Sequence, residues 1–298
     1  MSLRYFAVIN PAAGGGRCRR QVGPALERLR AGGLVIEAVE TSAPEQAMAL
    51  TREAYGRGFR RFIAVGGDGT SYEMVNGLFP GAEQRPTLAF LPLGTGNSFL
   101  REFSDRGVEH GMEALLQGRL QPCDVIRLRH KNGVLHYINL LSVGFTADVA
   151  TLRARRLAGW GEFGYQSSIF ITLARFRRRP FPLRVDEDEQ VDRRRCLFLT
   201  FNNSKYTGGT MMIAPKAEVN DGFIEYVRWG PIGRWGLIRN LPTLYDGTHI
   251  HHPLAERRSA KKVEFLLDGP VDVMVDGEVF TLECKMLDVL PSALNVMV

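Results

Sequence analysis

Ile63-Ala-Val-Gly-Gly-Asp-Gly-Thr70 is the stretch that decides the fold reading of this 298-residue chain. Phe62 to Val65 is apolar and β-branched enough for a buried strand. Thr70 to Leu78 carries helical spacing, so Gly66 to Gly69 reads as a strand-to-helix turn. Glycines at such a turn let backbone N–H groups approach an anion, and the helix N-terminus that follows adds favourable partial charge. One carboxylate, Asp68, stands among them. It would repel a bare phosphate, so it reads as a group that acts on a metal ion or on a proton.

Working outward, Tyr5 to Ile9, Leu34 to Val39 and Leu88 to Leu91 are further strand-like runs, separated by segments of helical length. This alternation is that of an α/β domain with a parallel sheet and covering helices. Ligands of such sheets bind beyond the carboxyl ends of the strands, where each of these runs meets a small or polar loop. Asn10-Pro-Ala-Ala-Gly-Gly-Gly-Arg17 follows the first strand and could cradle phosphates, with Arg17 supplying charge. It lacks the terminal Lys-Ser/Thr of a Walker loop. Thr41 and Ser42 end the second strand, where their hydroxyls serve either a nucleotide or the cap of the next helix. Leu91-Pro-Leu-Gly-Thr-Gly-Asn97 repeats the glycine turn after the fourth strand and adds the hydroxyl of Thr95 and the amide of Asn97.

From Cys123 the texture changes to short alternating runs: Val125 to Arg129, Leu135 to Leu141, Cys196 to Phe201, Phe223 to Val227, Lys262 to Leu266, Val271 to Val275 and Val279 to Cys284. Several short strands with turn signals between them predict an antiparallel β-sandwich or barrel. The expected division is residues 1–124 as the α/β domain and 125–298 as the β-rich domain, with a helical insertion near 151–179. Met286 to Val298 is apolar enough to pack on either one.

The chain is 45% hydrophobic, as expected of a globular protein, and its formal charge of +6 suits a negatively charged partner and equally a merely solvated face. Its four cysteines have no C-x-x-C spacing, which disfavours a zinc site or a disulfide framework and suits reduced thiols in the cytoplasm. Strand-like sequence begins so close to the N-terminus that no signal peptide is expected, and no apolar run approaches the roughly 20 residues that span a bilayer. Thr151 to Arg179 mixes Trp160, Phe163, Tyr165, Phe170 and Phe176 with arginines. That mixture suits an anionic membrane interface, and equally a helical hairpin with inward aromatics. No nucleic-acid-binding motif accompanies the charge, so no nucleic-acid partner is expected. His249, His251 and His252 lack the partners of a metal site and read as a surface loop.

The order N-P-x-A-G, then G-G-D-G-T with Glu73 and Asn76-Gly77, then P-L-G-T-G-N resembles the catalytic domain of the diacylglycerol kinase family. That family includes bacterial soluble lipid kinases and the sphingosine and ceramide kinases. Tyr206-Thr-Gly-Gly-Thr210, Ala214-Pro-Lys-Ala-Glu-Val-Asn-Asp-Gly222 and Val275-Asp-Gly-Glu278 carry the likeness through the second half. G-G-D-G alone is shared with NAD kinases; the combination is specific.

The resemblance implies a nucleotide-binding catalytic domain followed by a β-sandwich domain, and an ATP-dependent transfer of the γ-phosphoryl group to a lipid hydroxyl. The lipid is diacylglycerol or a relative, with sphingoid bases, ceramide and phosphatidylglycerol as alternative acceptors. A non-catalytic nucleotide or lipid sensor of the same fold is a further alternative. By motif matching, Asn10, Thr41, Gly66, Gly67, Asp68, Gly69, Thr70 and Thr95 fall where the family contacts nucleotide. Asp221, with the backbone carbonyls of Glu218 and Phe223, falls where bacterial members hold a structural Mg²⁺; a plain hairpin turn accounts for the same residues. Glu278 matches the general base proposed for bacterial members, and Asp68 matches the base of the sphingosine kinase branch. The implied partners are a lipid substrate at a membrane surface, with peripheral contact to the inner face of the membrane through 151–179, and a second copy in a homodimer. Two departures stand out. Ser98 replaces an aspartate common in bacterial relatives, where Asp68 and Asp124 match other members of a carboxylate network, and Ser71-Tyr72 replaces an apolar-asparagine pair.

Overall fold

The computed structural model describes residues 4–94, 96–152, 171–172 and 178–298. Thr95 and most of the 151–179 segment therefore lie outside the described residues. The chain forms two compact units, one of residues 1–125 and 291–298 and the other of residues 126–290.

The first unit is built on a parallel sheet of β1 (Arg4–Ile9), β2 (Val35–Glu40), β3 (Arg61–Val65) and β4 (Thr87–Leu91). Its helices are α1 (Arg17–Ala31), α2 (Gln46–Gly56), α3 (Asp68–Leu78) and α4 (Val108–Gln117). β3 and β4 are buried almost throughout, which explains why both read as continuous apolar runs. In α1, Cys18, Val22, Leu26 and Leu29 recur at helical spacing and enter the core with Ile9, Val65 and Leu91. The strand order is β2-β1-β3-β4, all parallel, with Asn295 to Met297 added in parallel beside Thr87 to Ala89 of β4. The order reverses between β1 and β3, so the loops that leave these two strands flank a topological switch point, the usual place for a ligand in an open α/β sheet.

The second unit has a six-stranded antiparallel sheet in the order Ala255–Ala260, Ile224–Trp229, Phe198–Asn202, Leu140–Gly144, Val271–Val275, Glu278–Leu282. A second set of strands includes Leu183–Val185, Lys262–Phe265 and residues 286–288, together with 126–130 paired to Gly133–Tyr137. Phe201 of one sheet meets the Phe265 ring of the other edge-on at 5.4 Å, and Tyr137 donates its hydroxyl proton to the Phe201 carbonyl at 3.2 Å. These contacts mark a β-sandwich. Trp229, Phe198, Ile213 and Leu237 anchor a core on the outer side of the large sheet.

The run read as one strand over Leu135 to Leu141 is two, broken at Ile138 and Asn139. The Asp276 carboxylate takes the N–H groups of Ile138, Asn139 and Leu140 there at 2.9–3.0 Å, which removes them from strand pairing. The Asp186 carboxylate accepts the N–H groups of Lys261 and Lys262 at 2.8 and 2.9 Å.

Candidate active site

Three loops of the first unit meet backbone to backbone at the switch point. Gly66 donates its N–H to Leu91 O (3.2 Å) and accepts from Gly94 N (2.7 Å), while Asp68 N donates to Gly96 O (2.9 Å). Such spacing leaves no room for side chains. A Cβ on Gly94 would lie 2.8 Å from the Gly67 backbone, and one on Gly66 would lie 2.3 Å from Thr70 Oγ1. Gly14 of the first loop, at φ +65°, would drive a Cβ to 2.8 Å from the Leu93 carbonyl.

Arg17 differs from its expected role. Its guanidinium hydrogen-bonds the carbonyls of Leu93 and Gly94, so it braces the third loop against the first. Asn10 donates its N–H to Val65 O at 2.9 Å and receives Ala12 N–H on its side-chain oxygen at 3.1 Å, shaping the turn after β1. Thr41 donates both its N–H and its hydroxyl to Ile9 O, at 2.8 and 3.3 Å, which stitches the end of β2 to β1. Ser42, through its N–H and hydroxyl, binds the Gln46 side chain at the start of α2. Glu73 was part of the sequence motif without an assigned task. Its carboxylate receives Glu45 N–H and Ala47 N–H, both at 3.0 Å, and so caps α2 from the neighbouring helix.

At the head of α3 the geometry suits an anion. The first N–H groups of a helix have no intrahelical acceptor. Those of Thr70 and Ser71 turn back to Gly67 O, and that of Asp68 goes to Gly96 O. Of these four N–H groups, that of Gly69 has no backbone carbonyl acceptor among the described residues. Thr70 Oγ1 is buried and has no hydrogen-bond partner among the described residues, so its bonding capacity is open on this side of the turn. Asp68 is half-buried. Loss of water raises its carboxyl pKa, opposed by the Ser98 N–H and hydroxyl and by Phe99 N–H. Ser98 N donates to Asp68 Oδ2 at 2.9 Å. A serine at 98 thus gives Asp68 a donor where an aspartate would give it a second negative charge.

Asp124 is fully buried and accepts Ser292 N–H at 2.6 Å, which ties the returning segment 291–298 into the first unit. Among the described residues no three or more His, Cys, Asp or Glu side chains gather as a metal cluster. His249 is buried, with its ring nitrogens 3.2 and 3.1 Å from the carbonyls of Thr243 and Ile213, so it packs within the fold rather than lying in a surface loop.

In the second unit Glu278 is exposed at the start of its strand, directly after the tight turn at Asp276 and Gly277. That turn is rigid for a reason the sequence did not signal. Asp276 is 3% exposed and binds three N–H groups, and beside it Asn203 and Ser204 donate their N–H groups to Asn139 O at 2.7 and 3.3 Å. The Ser204 hydroxyl also binds Asn139 Oδ1. Asn202, Asn203 and Ser204 are wholly buried, an arrangement that only tertiary contacts can support. Asp221 is exposed on its turn and accepts Phe223 N–H at 2.9 Å, with Glu218 three residues earlier. The donor set of one carboxylate and backbone carbonyls is of the hard oxygen type that fits Mg²⁺.

Residues 4–128 match the diacylglycerol kinase catalytic domain, and residues 139–298 match the YegS C-terminal NAD kinase beta sandwich-like domain. The chain belongs to the diacylglycerol kinase family. It is a lipid kinase, and membership implies use of ATP. A diacylglycerol kinase of Mycobacterium tuberculosis (strain CDC 1551 / Oshkosh) is 26% identical over 298 residues, covering 99% of this chain and 94% of that one. A diacylglycerol kinase of Bacillus subtilis (strain 168) is 25% identical over 302 residues, covering 97% and 96%. In fold, the chain is similar to the crystal structure of a diacylglycerol kinase from Bacillus anthracis, with a TM-score of 0.72, 20% identity and coverage of 99% and 96%. Of the described residues, no helix is long and apolar enough to cross a membrane.

Proposed function

We propose that this lipid kinase transfers the γ-phosphoryl group of ATP to the hydroxyl of diacylglycerol. The observation that carries the reading is the convergence of three glycine loops at the β1/β3 switch point, with the buried Thr70 hydroxyl, which has no hydrogen-bond partner among the described residues, and the head of α3 beside them. Gly67 and Gly69 would hold phosphate oxygens through backbone N–H groups and Thr70 through its hydroxyl, on a turn that Gly66 keeps thin, with Asn10, Thr41 and Thr95 at the nucleotide. In phosphoryl transfer the protein's share is positioning and charge stabilisation, and one carboxylate must receive the acceptor's proton.

Glu278 suits that proton. It is exposed to an incoming hydroxyl on a turn that Asp276 makes rigid. Asp68, already bonded by Ser98, orients the nucleotide loop as a fixed carboxylate. Mg²⁺, when bound, supplies charge neutralisation for the phosphates and, at Asp221 with the carbonyls of Glu218 and Phe223, a brace for that turn.

Labelled ATP, purified protein and a panel of diacylglycerol, ceramide, sphingoid base and phosphatidylglycerol test the acceptor. Label in phosphatidic acid is expected; label in another lipid, or in none, overturns the assignment. The pH profile tests the base. An acidic limb displaced above the ordinary carboxylate range in the parent, the direction in which burial moves Asp68, would move the proton from Glu278 to Asp68.

A further inference from the structure

The second unit holds an open groove of about 980 Å³ that the kinase chemistry does not use. Five arginines line it, Arg178, Arg194, Arg195, Arg228 and Arg234, with Trp235 at its edge and Glu256 the acidic residue in its wall. Arg228 is buried, donates to Arg195 O at 2.7 Å and lies 3.8 Å from Asp192. Arg194 spans Asp192 and Glu256, each at 2.7 Å. Among the described residues the groove wall thus carries five guanidinium groups and one carboxylate, Glu256, with Asp192 bonded to Arg194 beside it. Arg195 and Arg234 stand exposed on the rim.

The apolar side is equally pronounced. Trp235 is 84% exposed, and so are, to lesser degrees, Ile238 of its own helix and Leu254 of the groove wall. Helix Arg234–Asn240 is pinned by Leu237, which enters the core with Ile232 and Leu244. Trp235 and Ile238, three residues apart, then share its outer face. A helix fixed on its inner side that holds an indole in water points to a partner for the outer one.

We infer that this groove and helix dock the protein on an anionic lipid bilayer, the arginines meeting phosphate-bearing headgroups and Trp235 lying at the headgroup boundary. Complementary charge and an amphipathic aromatic at one surface are what such an interface selects. Free phosphate would engage the arginines and leave the exposed tryptophan and aliphatics without a role. Single-stranded nucleic acid would use the arginines and the indole but not Ile238 and Leu254. The inference goes beyond the kinase reading and does not depend on turnover.

The test is co-sedimentation of the full chain with phosphatidylserine–phosphatidylcholine vesicles, with pure phosphatidylcholine as control. No acceptor lipid or ATP is present, so failure of docking and failure of the kinase assignment are read separately. Binding to the anionic vesicles alone is expected, falling at high salt. Arg195→Gln with Arg234→Gln should weaken it about twenty-five-fold, at roughly fivefold per charge. Trp235→Ala, an exposed change that leaves the core intact, should weaken it and abolish the blue shift of tryptophan emission on binding. Unchanged vesicle binding in both variants overturns the inference. So does competition by inorganic phosphate at equal charge concentration, which would make the groove a phosphate site. Loss of oligonucleotide binding in the variants without loss of vesicle binding would make it a nucleic-acid surface and overturn it too.

Discussion

Asp68 concentrates the chemistry of the first unit in one carboxylate that the fold holds at a cost. Because burial raises its pKa in the folded state, the native chain binds its proton more readily than the unfolded chain, and stability from this group grows as pH falls through that folded value. At neutral pH the burial of charge is uncompensated by that proton. Asp68→Asn is therefore expected to raise the melting temperature while reducing phosphorylated lipid below detection; a lower melting temperature in calorimetry would contradict it. Ser98→Ala removes the hydroxyl but keeps the N–H donor, and a drop in kcat with the ATP KM little changed is expected from a looser Asp68. His136 has the opposite sign. It is 1% exposed, and burial followed by the charge of Arg127 lowers its pKa from 6.5 to about 4. The unfolded chain takes up that proton first, so the contribution is complete above about pH 6.5 and falls by about 3 kcal/mol as pH drops to about 4. Urea melts of His136→Asn across that window should show a shallower pH dependence than the parent by about this amount.

At the scale of elements, the glycine turns do more than face a ligand. They are thin because two loops must lie in contact, and Gly94 pays for its place with Gly67, where a Cβ would sit 2.8 Å from backbone. Gly94→Ala is expected to cost about 1–3 kcal/mol and to weaken ATP binding, measured by thermal melts and titration calorimetry. Gly15→Ala meets open space and should cost about 1 kcal/mol through its φ of +65° alone. In the second unit Asp276 does for a strand break what a helix cap does for a helix. Its three bonds hold Ile138 to Leu140, and the Glu278 strand starts beside it. The motif Asp276-Gly277-Glu278 was legible as chemistry, but the anchoring by Asp276 was not, because its partners lie some 136 to 138 residues away.

At the scale of the whole molecule, the chain returns at its end to complete the unit it began. Leu294, Val296 and Met297 are buried, and Asn295 to Met297 pair with β4. At about 1.5–3 kcal/mol for each buried side chain, this strand is worth much of an ordinary domain's stability. A fragment of residues 1–125 is expected to lack a cooperative melt and to gain one when a peptide of residues 291–298 is added; a cooperative melt of the fragment alone would refute this. The sequence by itself determined the α/β and β-sandwich halves, the glycine turns and the family, because periodicity, turn chemistry and motif order are local and printed in the chain. It left open where Met286 to Val298 packs, gave Arg17 to phosphate, and passed over Glu73 as a cap and Asn202 to Ser204 as a buried polar network. Those depend on which strands become neighbours. Only the tertiary structure fixed the order β2-β1-β3-β4, and with it the switch point at which three loops distant in sequence come within hydrogen-bonding distance. Backbone contact across such distances is set by packing, which no local pattern records.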